Sequence, residues 1–129
     1  MKIEHVAIWT NDLERLKTFY ETYFQAKPNE KYVNFEKGFE SYFLSFESGA
    51  RLELMQMTGI PDNLNDTVAQ YLGIIHLAIS VGSKEKVDQR TAVLEEDGYR
   101  IIGQPRTTGD GYYESVVLDP DGNRIEITV

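Results

Sequence analysis

The only two histidines of the chain, His5 and His76, lie 71 residues apart in two stretches of similar sequence. His5 occurs in Glu-His-Val-Ala-Ile and His76 in Ile-His-Leu-Ala-Ile. Two glutamates recur in the same way, because Glu53 lies in Arg-Leu-Glu-Leu and Glu126 lies 73 residues later in Arg-Ile-Glu-Ile. Imidazole nitrogens and carboxylate oxygens are donors for borderline divalent ions such as Zn, Ni, Co, Mn or Fe. The four residues are therefore candidate ligands of one such ion.

The recurrence of these residues at equivalent positions is what favours metal binding. A single histidine in a strand is usually structural, and a single glutamate in a terminal strand usually faces solvent. Two histidines and two glutamates that occupy matching places of a repeat are far less expected by accident. Four such ligands would leave one or two coordination positions open for water or substrate, as catalysis requires.

The repeat also predicts the elements that position these residues. Each copy opens with alternating apolar and polar residues, continues with an amphipathic stretch at helical spacing and ends in three short β-rich runs. Each copy is thus a βαβββ module in an α+β fold. We expect one domain, 1–129, with modules at about 1–57 and 73–129 and a Pro- and Asn-containing linker at about 58–72. In the first module, the predicted strands are 2–9, 31–36, 41–47 and 50–57, and the predicted helix is 12–24, capped by Asn11 or Asp12. In the second, the strands are 73–81, 99–104, 112–118 and 123–129, with a helix between Ser83 and Gly98 and a hairpin turn at 119–122.

Strand alternation places one histidine and one glutamate of each module on the face away from the aliphatic residues that pack under the helix. If that face is concave in both modules, all four side chains converge. The two arginines, each two residues before a glutamate, could pair with the carboxylates, hold an anionic substrate or simply be solvated. The candidate substrate-pocket residues are Trp9, Arg51, Met55, Tyr113 and Arg124.

Composition excludes several classes of function. The net charge is −8, and an acidic chain without a basic cluster is poorly suited to nucleic acid or an anionic membrane surface. The chain has no cysteine, so disulfides, thiolate metal sites and cysteine nucleophiles are excluded. No run resembles a signal peptide or reaches transmembrane length. We expect a cytoplasmic protein that acts on a small molecule.

The whole chain resembles the vicinal oxygen chelate superfamily, which includes glyoxalase I, extradiol dioxygenases and bleomycin resistance proteins. The motifs that carry the resemblance are His5-Val6-Ala7-Ile8, His76-Leu77-Ala78 and the run Asp119-Pro120-Asp121-Gly122-Asn123-Arg124-Ile125-Glu126. The resemblance implies that the two βαβββ modules form an eight-stranded, half-open, barrel-like cleft. It also implies metal ligands on the first and last strands of each module, and a homodimer, which would cover open sheet edges.

Within that superfamily the ligand set is most similar to that of glyoxalase I, in which a metal polarises a carbonyl and a glutamate ligand moves a proton between adjacent carbons. The resemblance therefore implies a metal-dependent lyase or isomerase with Glu126 and Glu53 as catalytic residues. Trp9 stands where glyoxalase I commonly has an arginine for glutathione. One alternative is an extradiol-type dioxygenase that uses His5, His76 and Glu126, against which Glu53 counts as a fourth ligand. Another is a non-catalytic binding or resistance protein.

Overall fold

The computed structural model describes all 129 residues, which divide into two compact units, Met1–Asn63 and Leu64–Val129. The division falls inside the predicted linker. Each unit has one helix and its own β-sheet, so the predicted α+β class is confirmed. Neither helix is long and apolar enough to cross a membrane.

The first unit follows the predicted order with one additional strand. Its elements are β1 (His5–Trp9), α1 (Leu13–Phe24), β2 (Lys27–Pro28), β3 (Tyr32–Asn34), β4 (Phe39–Ser45) and β5 (Arg51–Met57). The sheet order is β1-β5-β4-β2, with β3 also paired to β4, and β1 runs parallel to β5. The two-residue β2 was not predicted. It forms because Gln25, in the left-handed conformation at φ 55°, ends α1 and returns the chain to pair Lys27 with Ser45.

Helix α1 packs its apolar face on one side of this sheet. Asp12 caps the helix by accepting a hydrogen bond from the Arg15 backbone N–H at 3.0 Å. The alternative cap, Asn11, instead donates to the Asp62 carboxylate at 2.8 Å. The buried face of α1 consists of Leu13, Leu16, Phe19, Tyr20, Tyr23 and Phe24, and the sheet contributes Leu44, Leu52 and Leu54 to the same core. The opposite face of the sheet is therefore not covered by α1.

The second unit repeats this arrangement without a counterpart of β2. Its elements are β6 (Leu77–Ser80), α2 (Lys84–Glu96), β7 (Ile101–Thr107), β8 (Tyr113–Leu118) and β9 (Arg124–Thr128). The sheet order is β6-β9-β8-β7, and β6 runs parallel to β9. Strand β6 is shorter than the predicted 73–81, so His76 immediately precedes the strand rather than lying within it. Pairing begins with Leu77 opposite Ile125, and the same register would place Ile74 and Ile75 opposite Gly122 and Asn123, which precede β9.

Helix α2 and the last hairpin have the predicted end signals. Ser83 caps α2 through a 3.3 Å bond from the Lys86 N–H. Gly98, at φ +88°, closes the helix in a Schellman arrangement, because its N–H bonds Glu95 O and the Tyr99 N–H bonds Leu94 O. In the turn between β8 and β9, the buried Asp119 carboxylate accepts the backbone N–H groups of Asp121 and Asn123.

Candidate metal centre

In the first unit, β1 and β5 bring His5 and Glu53 together. The parallel register sets Ala7 opposite Glu53, so His5, two residues earlier, lies on the same face as the glutamate. His5 Nε2 lies 3.7 Å from Glu53 Oε2. Leu52 and Leu54, on either side of the glutamate, are buried against the helix, which fixes the face that Glu53 occupies. The first predicted pair is therefore formed.

The second unit places His76 and Glu126 in the same relation. Ala78 lies opposite Glu126 in the parallel β6–β9 register, as Ala7 lies opposite Glu53. His76 Nε2 is 3.4 Å from Glu126 Oε2. The histidine and glutamate side chains are 39% and 16% exposed here, against 40% and 15% in the first unit. Each unit thus presents the same donor pair with nearly the same exposure.

The donor atoms of each pair suit a metal ion. Nitrogen and oxygen ligands about 2.0–2.2 Å from one ion are roughly 3.0–3.5 Å apart at tetrahedral or octahedral angles. The His76–Glu126 separation of 3.4 Å falls in this range, and the His5–Glu53 separation of 3.7 Å is just above it. Neither unit by itself contains a group of three or more His, Asp or Glu side chains placed to hold a metal. Each unit therefore offers two well-spaced donors.

Glu126 lies in a carboxylate-rich environment. Burial raises its pKa, the His76 imidazole lowers it, and the nearby Glu114 carboxylate raises it further. Glu114 is on the same face because it pairs with Thr128, two residues beyond Glu126. Its side chain is only 13% exposed and lies 3.8 Å from Arg106 Nη2. Ionising Glu126 in the metal-free second unit therefore costs more free energy than ionising it in the unfolded chain.

In the first unit, the predicted pocket residues Trp9 and Met55 are neighbours. They pair across β1 and β5 on the same face as His5 and Glu53, and Trp9 also contacts the Phe39 ring edge-on at 6.0 Å. The surface beside Glu53 that Trp9 and Met55 form is therefore largely apolar.

Arg51 lies on the other side of Glu53 but pairs with a different carboxylate. Its guanidinium binds Glu4 through Nε, at 2.8 Å, and through Nη2, and stacks over the Phe43 ring at 4.2 Å. Glu4 also contacts His5 Nδ1, and its hydrogen bonds to His5 and Arg51 lower its pKa. Arg51 is thus linked to His5 through the Glu4 carboxylate.

The second unit uses its arginine differently. Arg124 Nη2 donates to the backbone carbonyls of Val68 and, at 3.4 Å, Ala69, while its Nε is buried without a hydrogen-bond partner. Tyr113, another predicted pocket residue, is not brought to Glu126. Its hydroxyl donates to Asp88 on α2 at 2.7 Å, which places it on the helix-packed face of the sheet.

Three neighbours of the pairs were not predicted from the sequence: Glu4, Phe43 and Glu114. Phe43 and Glu114 could have been found by extending strand parity across the hairpins, because Phe43 pairs with Glu53 and Glu114 is two residues from the partner of Glu126. Glu4 precedes the first residue of β1, so strand alternation does not constrain its side chain.

A family model, described as the glyoxalase/bleomycin resistance protein/dioxygenase superfamily, matches residues 2–127. The chain belongs to this superfamily. The matched residues include both His–Glu pairs and nearly the whole length of the chain. It does not distinguish among the enzymes and resistance proteins that the superfamily name joins.

Individual proteins are similar to this chain over almost its whole length. YqjT of Bacillus subtilis (strain 168), described as uncharacterized, is 25% identical over 97% of this chain and 96% of its own length. Glyoxalase I of Leishmania major, which is trypanothione-dependent, superposes with a TM-score of 0.77 at 25% identity, over 99% of this chain and 86% of its own. Glyoxalase I of Zea mays has a TM-score of 0.78 at 21% identity, over 98% of this chain. This chain spans 44% of the length of the maize protein.

Proposed function

We propose that His5, Glu53, His76 and Glu126 together bind one divalent ion, of Zn, Ni, Co, Mn or Fe, and that the protein is a glyoxalase-I-like lyase or isomerase. It would move a proton next to a carbonyl group of a small molecule. The observation that carries the proposal is the matched pair: each unit presents one imidazole and one carboxylate at 3.7 Å and 3.4 Å, with nearly equal exposure.

The two pairs are proposed to act on one ion because two ligands are too few for a stable site. Zinc sites in proteins use three or four side-chain ligands, and catalytic sites keep at least one position open. Two imidazoles and two carboxylates satisfy that number and also balance the charge of a divalent ion. The two pairs could come from one chain or from two chains of a dimer.

The chemistry divides between the ion and the protein. A bound divalent ion would act as a Lewis acid on the substrate carbonyl oxygen. The carboxylates of Glu126 and Glu53 are the bases available to take a proton from one carbon and return it to the next. Burial raises the pKa of Glu126, which brings this group closer to the range in which a carboxylate exchanges protons near neutral pH.

The surroundings of the first pair favour a substrate with an apolar part. Trp9 is 40% exposed and lies beside Met55 on the face of Glu53. Arg51, which could have held an anionic group, is already paired with Glu4. We therefore expect the substrate to be recognised by apolar contact near Trp9 more than by an arginine at position 51.

Metal content is the first test. Protein purified without added metal should contain about one divalent ion per chain by elemental analysis. Binding should be lost in the His5→Ala, His76→Ala double variant, because half of the ligands are removed. Glu96→Gln, a substitution of an exposed glutamate on α2, should retain the ion and serves as the control. Full metal content in the double variant would contradict the proposal.

Solvent-deuterium exchange is the test of the reaction. Exchange next to the carbonyl of α-hydroxy-carbonyl or thiohemiacetal substrates should occur with Ni, Co or Zn and should fall at least about 100-fold in Glu126→Gln, because the base is removed. Glu96→Gln should exchange at the wild-type rate. Catechol-dependent oxygen uptake with Fe(II) that persists in Glu53→Ala would instead establish the dioxygenase. Tight binding of a small molecule that is indifferent to chelators would indicate a resistance-type protein.

A further inference from the structure

The surroundings of the two histidines differ in one respect, although the pairs themselves match. In the first unit the Glu4 carboxylate lies between the His5 ring and the Arg51 guanidinium, with Oε2 on His5 Nδ1 and Oε1 on Arg51. In the second unit Ile75 precedes His76, so no carboxylate can occupy the equivalent position. The second arginine, Arg124, is bonded to the Val68 backbone instead.

Glu4 is held in place even though its side chain is half exposed. Arg51 grips one carboxylate oxygen with two N–H groups, and the Arg51 backbone N–H donates to Glu4 O at 3.0 Å. The guanidinium is fixed in turn by the Phe43 ring, 4.2 Å away. Phe43 also contacts the His5 ring edge-on, at 5.3 Å between centroids. Phe43, Arg51, Glu4 and His5 thus form a closed set of contacts.

An ionised carboxylate has only acceptor atoms, so a neutral imidazole beside it must direct an N–H toward it. The Glu4–His5 contact therefore favours the tautomer with its proton on Nδ1. The lone pair then resides on Nε2, because Glu53 Oε2, at 3.7 Å from Nε2, is beyond hydrogen-bond distance and competes for the proton less than Glu4 does. Histidine ligands of metals are commonly oriented by a carboxylate on the other ring nitrogen in this manner.

We propose that Glu4 is a positioning residue that fixes the tautomer and ring orientation of His5, so that Nε2 is available as a ligand before an ion arrives. The inference rests on the proposed function for its purpose, but the tautomer is a property of the metal-free protein. His76 has no such partner. Its Nε2 is 3.4 Å from Glu126 Oε2, which in the absence of metal favours a proton on Nε2. The two histidines should therefore differ in tautomer.

The test uses the two-bond ¹⁵N–¹H spectra of the imidazole rings in the metal-free chain, which contains only these two histidines. Spectra are recorded in alkaline buffer, where a further rise in pH no longer changes the ring signals. We expect His5 with its proton on Nδ1 and His76 with its proton on Nε2.

Glu4→Gln is the decisive variant because it has the same shape. Arg51 would retain the amide oxygen, which leaves the NH₂ group facing His5 Nδ1. A donor at that position should move the His5 proton to Nε2, whereas a purely structural role of Glu4 would leave the tautomer unchanged. His76 is the internal reference, and Glu36→Gln, at an exposed position, is the control.

Metal titration of the same proteins separates this inference from the proposed function. Affinity for Co²⁺ or Zn²⁺ should fall about 10- to 100-fold in Glu4→Gln and stay unchanged in Glu36→Gln. A wild-type protein that binds neither ion would contradict the proposed function. A His5 proton on Nε2 in the wild-type protein, or the same tautomer and affinity in Glu4→Gln, would overturn the assignment of Glu4.

Discussion

At the scale of single residues, ionised Glu126 lowers the stability of the metal-free fold, because burial disfavours its charged form. Burial raises its pKa from the usual 4.5, so ionising this group costs more in the folded than in the unfolded chain. Stability associated with its protonated form is complete below the unfolded pKa and is lost as pH rises through the folded pKa. Above that window the ionised carboxylate destabilises the protein unless a cation lies beside it.

Glu126→Gln should therefore raise the thermal midpoint of the metal-free protein at a pH above the folded-state pKa of Glu126, where the wild-type carboxylate is ionised. The difference should shrink as the pH is lowered toward 4.5, because the wild-type side chain then becomes neutral as well. Scanning calorimetry in the presence of a chelator measures the thermal midpoints of the wild-type and variant proteins at each pH. Glu36→Gln should show no such trend, and a destabilised Glu126→Gln at neutral pH would contradict the prediction.

The four candidate ligands could be singled out because a duplicated sequence repeats them, whereas their neighbour Glu4 could not. Glu4 contacts Arg51, 47 positions away, and no local pattern encodes that pairing. Tyr113 was predicted to line the pocket from its residue type. In the structure it lies on the helix-packed face of the sheet, where its hydroxyl donates to Asp88. Side-chain parity depends on the register of β8 against β9, which the sequence constrains only through the turn at 119–122.

At the scale of elements, the end of α2 depends on the backbone conformation of one glycine. Gly98 has φ +88°, and a Cβ built on it would meet nothing within 4 Å. The cost of Gly98→Ala is therefore one of backbone strain alone, roughly 1–2 kcal/mol of unfolding free energy.

Urea denaturation should show this loss and should show almost none for Gly109→Ala. Gly109 is also in open space, but its φ is not in the left-handed region, so alanine fits without strain. Equal effects of the two substitutions would mean that the Schellman closure of α2 contributes nothing to stability.

Element order could be predicted from periodicity, whereas some element boundaries could not. Ile74 and Ile75 extend the apolar run before His76, which predicted a strand from 73. In the structure Ile74 is 77% exposed, because the β6–β9 register would place it opposite Gly122, before β9 begins at Arg124. Strand β2 was missed because two residues with a proline carry no alternation signal.

At the scale of the whole molecule, exposed apolar residues in the segment that joins β5 to β6 predict self-association. Leu64, Leu72 and Ile74 are 96%, 101% and 77% exposed, and β1 and β6 are each an edge of their own sheet. Such residues and edges are usually covered in solution. We expect a homodimer by light scattering at micromolar concentration.

Leu72→Lys should lower the dimer fraction, because it would place a charge where apolar contact is expected. Val93→Lys changes an apolar residue that is 43% exposed on α2 and should leave the dimer intact. A wild-type protein that is entirely monomeric at these concentrations would remove the basis of this prediction.

If one ion is bound by both units, it must couple their stabilities. A ligand at about 100 times its dissociation constant adds about 2.7 kcal/mol to the folded state to which it binds. Trp9 is the only tryptophan, so its fluorescence reports the unfolding of the first unit. Metal should raise the midpoint of that transition in the wild-type protein.

The decisive comparison is His76→Ala, which changes a ligand in the second unit only. With a shared ion, this substitution should abolish most of the metal-induced shift seen at Trp9 in the first unit, whereas Glu96→Gln, also in the second unit, should retain it. With separate ions, His5 and Glu53 would still be intact and the Trp9 shift would persist. Elemental analysis would then approach two ions per wild-type chain rather than one. A persistent shift in His76→Ala would therefore replace a single four-ligand centre by two independent sites, and the reaction proposed for that centre would lose its structural basis.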